Sequence, residues 1–234
     1  MDGPWAVYAA ALALGAAHAL EVDHMVAVTA FIGGRPRVAA AAAFGLRWGL
    51  GHAAVVMALG GLLAWSGARL PAAASTWGES AVGVMLLALG LWTARRTQRL
   101  HVHPPDRHGD HAHLHAHLAN APTHEHTHAH SSARRHRHLS TVVGAVHGFA
   151  GTAPAVALIP VTLLSDRSVA LGYLAAFGLG TTLAMGAYAA IAARAVQRVA
   201  ASPRGARALG LVTAVWSIAI GLWWLVKSVP GAGH

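Results

Sequence analysis

Apolar positions in this chain do not recur with the period of an amphipathic surface helix. They run on through stretches of 18 residues and more, divided by short segments that collect the arginines. A bilayer core about 30 Å thick takes roughly 20 residues of helix. Six runs approach or exceed that length: Trp5 to Ile32, Val38 to Ser66, Trp77 to Ala94, Thr141 to Leu164, Val169 to Ala193 and Leu209 to Val229. The pattern predicts an all-α polytopic membrane protein with six transmembrane helices. The first run follows Asp2 rather than a basic segment and is far longer than the apolar part of a cleavable signal, so it is expected to remain as the first span.

Composition agrees, because only 11% of the 234 residues are charged while 55% are hydrophobic, too few charges to solvate a soluble domain of this size. The net charge of +9 would suggest nucleic acid in a soluble protein. Here the arginines sit between spans, and they act as a topology signal instead. With the N-terminus outside, thirteen Lys and Arg fall in cytoplasmic segments and three, Arg69, Arg167 and Lys227, on the opposite side. Both termini are therefore expected outside, and no nucleic-acid partner is implied. The chain has no Cys, which removes disulfides, thiolate metal sites and dithiol relays.

The halves also resemble each other. Gly15 to Leu20 matches Gly144 to Phe149, Ala42 to Leu46 matches Ala175 to Leu179, and Gly90 to Trp92 matches Gly221 to Trp223, at offsets of 129, 133 and 131. Three spans per copy make the second copy cross the membrane upside down, a 3+3 inverted repeat with His18 and His147 as symmetry partners. The expected organisation is a first three-helix repeat over 1–97, a His-rich cytoplasmic loop over 98–139 and a second repeat over 140–234. The loop holds 13 of the 18 His residues, among them the alternating sets His111, His113, His115, His117 and His124, His126, His128, His130. Such a segment cannot bury a core and is expected to be mobile. Its interchangeable imidazole pairs suit loose capture of Ni, Co, Zn or Cu; the bland alternative is a solvated linker. A purification tag would not be interleaved and internal.

Within the first run lie four ionisable groups, His18, Glu21, Asp23 and His24. Charge at that depth costs a few kcal/mol even on lenient insertion scales, and it usually faces a bundle interior and marks an ion path. Imidazole with carboxylate is a donor set for a borderline transition metal, whereas Mg and Ca prefer oxygen alone. At about 100° per residue, His18, Asp23 and His24 cannot all converge from a regular helix. Either the helix is locally unwound or only two of the three share an ion. On a regular helix Glu21 neighbours both His18 and His24, so Glu21 and Asp23 are rival carboxylates.

His52 in the second span reaches a similar depth and could join the same ion, while Gly49 and Gly51 allow a neighbouring helix to come close. Arg47 is either a buried counter-ion or a side chain that snorkels to the interface. His147 precedes Gly148, Gly151 and Pro154, residues that break a helix; it is either a ligand or a packing histidine.

His18-(four residues)-Asp23-His24 resembles the H-x4-D-H signature of the nickel/cobalt transporter family. Leu50-Gly51-His52 with Val55-Val56 resembles that family's next helix. His147-Gly148 to Thr152 and the six-span layout are closer to the related urease-accessory-type membrane proteins. Glu21 stands where the transporters usually carry Asp, and their later acidic motifs are missing between Phe177 and Ala187. The resemblance implies movement of Ni or Co across a prokaryotic cytoplasmic membrane, with His18, Asp23, His24 and His52 as selectivity residues. No prosthetic group is expected, the metal being the substrate. Import is favoured over export on the completeness of H-x4-D-H. The alternatives are efflux, or a non-transporting accessory protein that docks a cytoplasmic metallochaperone. A membrane di-iron oxidase would need several closely spaced His boxes, and the H-E-x-x-H protease motif is absent.

Overall fold

The structure, a computed structural model, describes residues 4–33, 37–67, 72–98, 100–102, 114–116, 132–149, 157, 161 and 163–229. The described elements are α1 (Trp5–His18), α2 (Val22–Ile32), α3 (Val38–Ser66), α4 (Ala72–Gln98), β1 (Leu100–Val102), β2 (Leu114–Ala116), α5 (Ser132–Phe149), α6 (Arg167–Val199) and α7 (Pro203–Lys227). Among the described residues the regular structure is helical apart from β1 and β2, one antiparallel pair of three-residue strands.

Among the described residues, four helices are each long and apolar enough to cross a bilayer: α3, α4 from Thr76, α6 and α7. The bent pair α1–α2 makes a fifth candidate. The expected fourth span, Thr141 to Leu164, is described as helix only as far as Phe149, and most of the remainder lies outside the described residues. Its helix starts at Ser132, nine residues before the apolar run, because a helix needs no apolar side chains where it leaves the lipid. That start, like β1 and β2, places regular structure inside a segment expected to have none. Apart from His115, whose backbone is part of β2, the eight loop histidines singled out above lie outside the described residues.

The helix ends follow local chemistry. Ser202 caps α7 by accepting from the Gly205 amide at 3.0 Å, with Pro203 opening the helix where no amide hydrogen is required. Asp166 caps α6 by accepting from the Ser168 and Val169 amides at 2.7 and 3.4 Å. α3 ends at Gly67, whose φ of 67° only glycine adopts without cost and whose amide bonds the Leu63 carbonyl at 2.9 Å. Exposed Trp5, Trp65, Trp77 and Trp223 stand near helix ends, as interfacial tryptophans do in membrane proteins. Arg167 lies over the Trp65 ring at 5.7 Å, so the end of α3 and the start of α6 share one side of the bundle.

Glycines let the helices cross backbone to backbone. A methyl group on Gly15 would strike the Phe177 carbonyl and one on Gly180 the Leu12 carbonyl, which joins α1 to α6. A methyl on Gly144 would strike the Trp48 carbonyl and one on Gly51 the Thr141 carbonyl, which joins α5 to α3 in the same manner. Each residue of one crossing stands 129 positions from its counterpart in the other: Leu12 and Thr141, Gly15 and Gly144, Trp48 and Phe177, Gly51 and Gly180. By these contacts Gly178 corresponds to Gly49, since Gly49 packs on Thr182 and Gly178 on Ala53. The sequence match at offset 133, which paired Gly178 with Gly45, is therefore out by one helical turn. Small residues at both Gly45 and Gly49 let that match slide a turn without leaving the packing face.

Two apolar clusters result. One contains Ala27, Val28, Trp48 and Met185, the other Ala11, Val56, Phe177 and Tyr173. Along α1–α2, α3 and α6 the clusters occupy successive stretches. The buried histidines fall between them.

Candidate metal centre

The first apolar run breaks at the point where its ionisable groups sit. The amides of Leu20 and Glu21 bond the carbonyls of Ala17 and His18 at 3.0 Å, a tightening to three-residue spacing. Glu21 then turns extended at φ −64° and ψ 150°, and the Met25 amide restarts the ladder on the Glu21 carbonyl. α2 leaves at 56° to α1. His18 is thus the last residue of α1, while Asp23 and His24 occupy the first turn of α2, where the positive end of the helix favours an acidic side chain. Of the two possibilities left open by the sequence, local unwinding is the one the structure adopts.

The break gathers groups from four helices. His18, Asp23 and His24 meet His52 of α3 and His147 of α5, and all five are no more than 3% exposed. Ring centroids stand 4.7 Å apart for His18 and His24, 5.2 Å for His18 and His52, 5.3 Å for His24 and His52, and 4.1 Å for His24 and His147. Asp23 Oδ1 lies 3.1 Å from His24 Nδ1 and accepts from the His24 amide at 2.9 Å; its Oδ2 lies 3.3 Å from His147 Nε2. Glu21 Oε1 lies 2.9 Å from His18 Nδ1.

A carboxylate only accepts, so each ring nitrogen that faces one carries the proton, and the opposite nitrogen keeps its lone pair. Those opposite atoms are His18 Nε2, His24 Nε2 and His147 Nδ1. They and both nitrogens of His52 are buried without a hydrogen-bond partner among the described residues. Buried polar atoms are rarely left so, and a convergent set of them needs an explanation. A metal ion supplies one: three imidazoles oriented by carboxylates on their far nitrogens is the arrangement that holds metal-ligating histidines in place. Two triads have ligand atoms mutually within 4.8 Å, His18-His24-His52 and Asp23-His24-His147. Nitrogen-rich sets of this kind suit Ni, Co, Zn or Cu rather than Mg or Ca.

All four of the residues first in line, His18, Asp23, His24 and His52, come together, and His147 joins them. Asp23 is the buried carboxylate at the centre. Glu21 stands at the rim, its side chain 35% exposed, and meets the His18 end of the cluster through the bond above. Arg47 is half-buried on α3 and makes no ion pair among the described residues; Asp23's ionic partners are His24 and His147. Two aromatic neighbours escaped sequence reasoning. Phe177 stacks on His18 at 5.6 Å and Trp48 lies against His147 at 5.9 Å. The signal was present, since these two stand at the same 129-residue offset as His18 and His147.

Fold and site together define a multi-pass helical membrane protein whose buried imidazole–carboxylate cluster is compatible with a transition-metal ion. Over 175 residues the chain is 25% identical to the urease accessory protein UreH of Bacillus sp. (strain TB-90), a match that covers 74% of this chain and 69% of that protein. The likeness to urease-accessory-type membrane proteins read from the motifs is thus matched by an alignment across most of the chain. No family model matches it. No solved structure matches it.

Proposed function

We propose that this protein is a secondary transporter that moves Ni2+ or Co2+ across the cytoplasmic membrane of a prokaryote, in the direction of import. The observation that carries the reading is the buried cluster of four imidazoles and a carboxylate at a broken helix, with its lone-pair nitrogens unpartnered. Broken helices at the midplane are where secondary transporters bind their cargo. The choice of Ni and Co rests on the H-x4-D-H resemblance, and the similarity to a urease accessory protein accords with it.

The architecture belonging to this function is six spans in a 3+3 inverted repeat with both termini outside. The common 129-residue register of the α1–α6 and α3–α5 crossings supports the repeat, and the arginine asymmetry supports the orientation. The cargo sheds water, enters on one side, is held by His18, His24, His52 and His147 with Asp23, and leaves on the other as the repeats rock. Imidazoles bind metal in their neutral form, so loading expels the second proton of any ring that is charged. The 98–139 loop concentrates metal on the cytoplasmic side.

Flux of radioactive nickel in inside-out and right-side-out vesicles tests the proposal. Wild type should move nickel inward, and His24→Ala, correctly folded, should not. Equal flux in wild type and His24→Ala would refute the site. The relative's name favours one second reading, a non-transporting accessory protein that docks a metallochaperone through the loop. Deleting 98–139 separates the two, because a transporter keeps its flux without the loop and a docking protein loses its activity.

A further inference from the structure

The five buried groups form a row rather than a ring. His18 belongs to the triad with His24 and His52, and His147 to the triad with His24 and Asp23; only His24 belongs to both. Its Nδ1 faces Asp23 at 3.1 Å while its Nε2 has no partner, so the two sides of one ring serve different surroundings. A tetrahedral ion with metal–nitrogen bonds of about 2.0–2.1 Å gathers donors roughly 3.4 Å apart. Rings on such an ion stand roughly 5 Å apart centre to centre, the spacing of His52 from His18 and His24 at 5.2 and 5.3 Å, whereas the His52 and His147 rings stand 6.2 Å apart. Each end is closed by its own buried aromatic ring, Phe177 on His18 and Trp48 on His147.

We propose that the row holds the cargo in two overlapping seats and that the ion crosses by ligand exchange about His24. In the first seat the ion is bound by His18, His24 and His52. In the second it is bound by Asp23, His24 and His147. Passage breaks the bonds to His18, His52 and His24 Nε2 as bonds to Asp23, His24 Nδ1 and His147 Nε2 form, and the protons that Asp23 had held on His24 Nδ1 and His147 Nε2 pass to the opposite nitrogens of the same rings; the metal keeps its oxidation state and His24 serves both seats, one nitrogen in each. The first seat is all nitrogen and the second adds one carboxylate oxygen, so the two differ in both ligand set and charge. This inference rests on the transport reading above.

Cobalt(II) binding to the detergent-purified full-length protein tests it, with the thirteen loop histidines replaced by asparagine to silence them. Stoichiometry comes from equilibrium dialysis and ligand identity from X-ray absorption. His18→Ala and His147→Ala should each still bind one cobalt. The ion in His147→Ala should show three imidazoles, and the ion in His18→Ala two imidazoles and a carboxylate. His24→Ala should weaken binding more than 100-fold. If His18→Ala and His147→Ala give the same coordination, or lose cobalt as completely as His24→Ala, the two seats do not exist and a single site remains. If the loop-silenced parent binds no cobalt, the transport reading itself falls. Gel-filtration profiles identify any variant that fails to fold, and His18→Gln and His147→Gln then replace the alanines under the same criteria.

Discussion

Gly144→Ala adds one methyl group and touches no ligand, yet it should impair metal binding. The new carbon would collide with the Trp48 carbonyl on the facing helix. Ordinary contact is about 3.5 Å or more, so α5 and α3 must part by on the order of 1 Å. α5 carries His147 three residues further on, and α3 carries His52 one turn beyond Trp48. Overpacking of this kind costs about 1–3 kcal/mol. In the empty protein the helices relax apart, but a bound ion, which tolerates only about 0.2 Å in its ligand distances, pulls them together again. If the whole strain is carried by the loaded state, cobalt affinity falls roughly 5- to 150-fold. Gly61→Ala is the control. Its new carbon meets only Leu171 Cδ2 at 3.8 Å, an ordinary contact, so affinity should be unchanged. Equilibrium dialysis of cobalt against the loop-silenced protein reads both. Wild-type affinity in Gly144→Ala would refute the claim that backbone contact between α3 and α5 sets the ligand geometry.

Two further outcomes follow from single contacts. Glu21→Ala removes the acceptor that orients His18 and should weaken cobalt binding roughly 10- to 100-fold, whereas Glu21→Gln keeps an acceptor oxygen and should retain most of the affinity; dialysis of the two side by side checks this. Asp166 is held below the ordinary carboxylate range first by the Ser168 hydroxyl and then by the Ser168 and Val169 amides. A depressed carboxylate contributes stability above its unfolded value, near 3.9, and loses it as pH falls through the lower folded value. Asp166→Ala should therefore lower the thermal midpoint at neutral pH with cobalt affinity unchanged, and the gap from wild type should narrow in acid below about pH 4; a gap independent of pH would refute the cap.

Much of the site was legible before any tertiary contact was known. His18, Asp23, His24 and His52 stand out because ionisable groups are scarce in lipid-length apolar runs, and i, i+5, i+6 spacing already required a broken helix if all three were to meet. The rivalry between Asp23 and Glu21 was not legible. Both lie within a few residues of the same break, and only the conformation of Glu21, extended at ψ 150°, sends one carboxylate inward and leaves the other at the rim. For Arg47 the sequence left counter-ion and snorkelling side chain open, because depth along a helix says nothing about which way a side chain faces. Phe177 and Trp48 look like any aromatic in an apolar span until the helices carrying them are crossed.

Composition and the length of the apolar runs by themselves determined that this is a multi-pass helical membrane protein and which few polar groups must be sheltered within it, because lipid penalises each exposed charge wherever the chain goes. Which of those groups face one another was decided only by tertiary structure. The glycine crossings of α1 with α6 and α3 with α5 are contacts between residues ninety or more positions apart, and they set the partners that the 56° bend between α1 and α2 presents to the site. No local pattern of apolar and polar residues encodes the angle at which two helices meet. That angle brings His147 to Asp23.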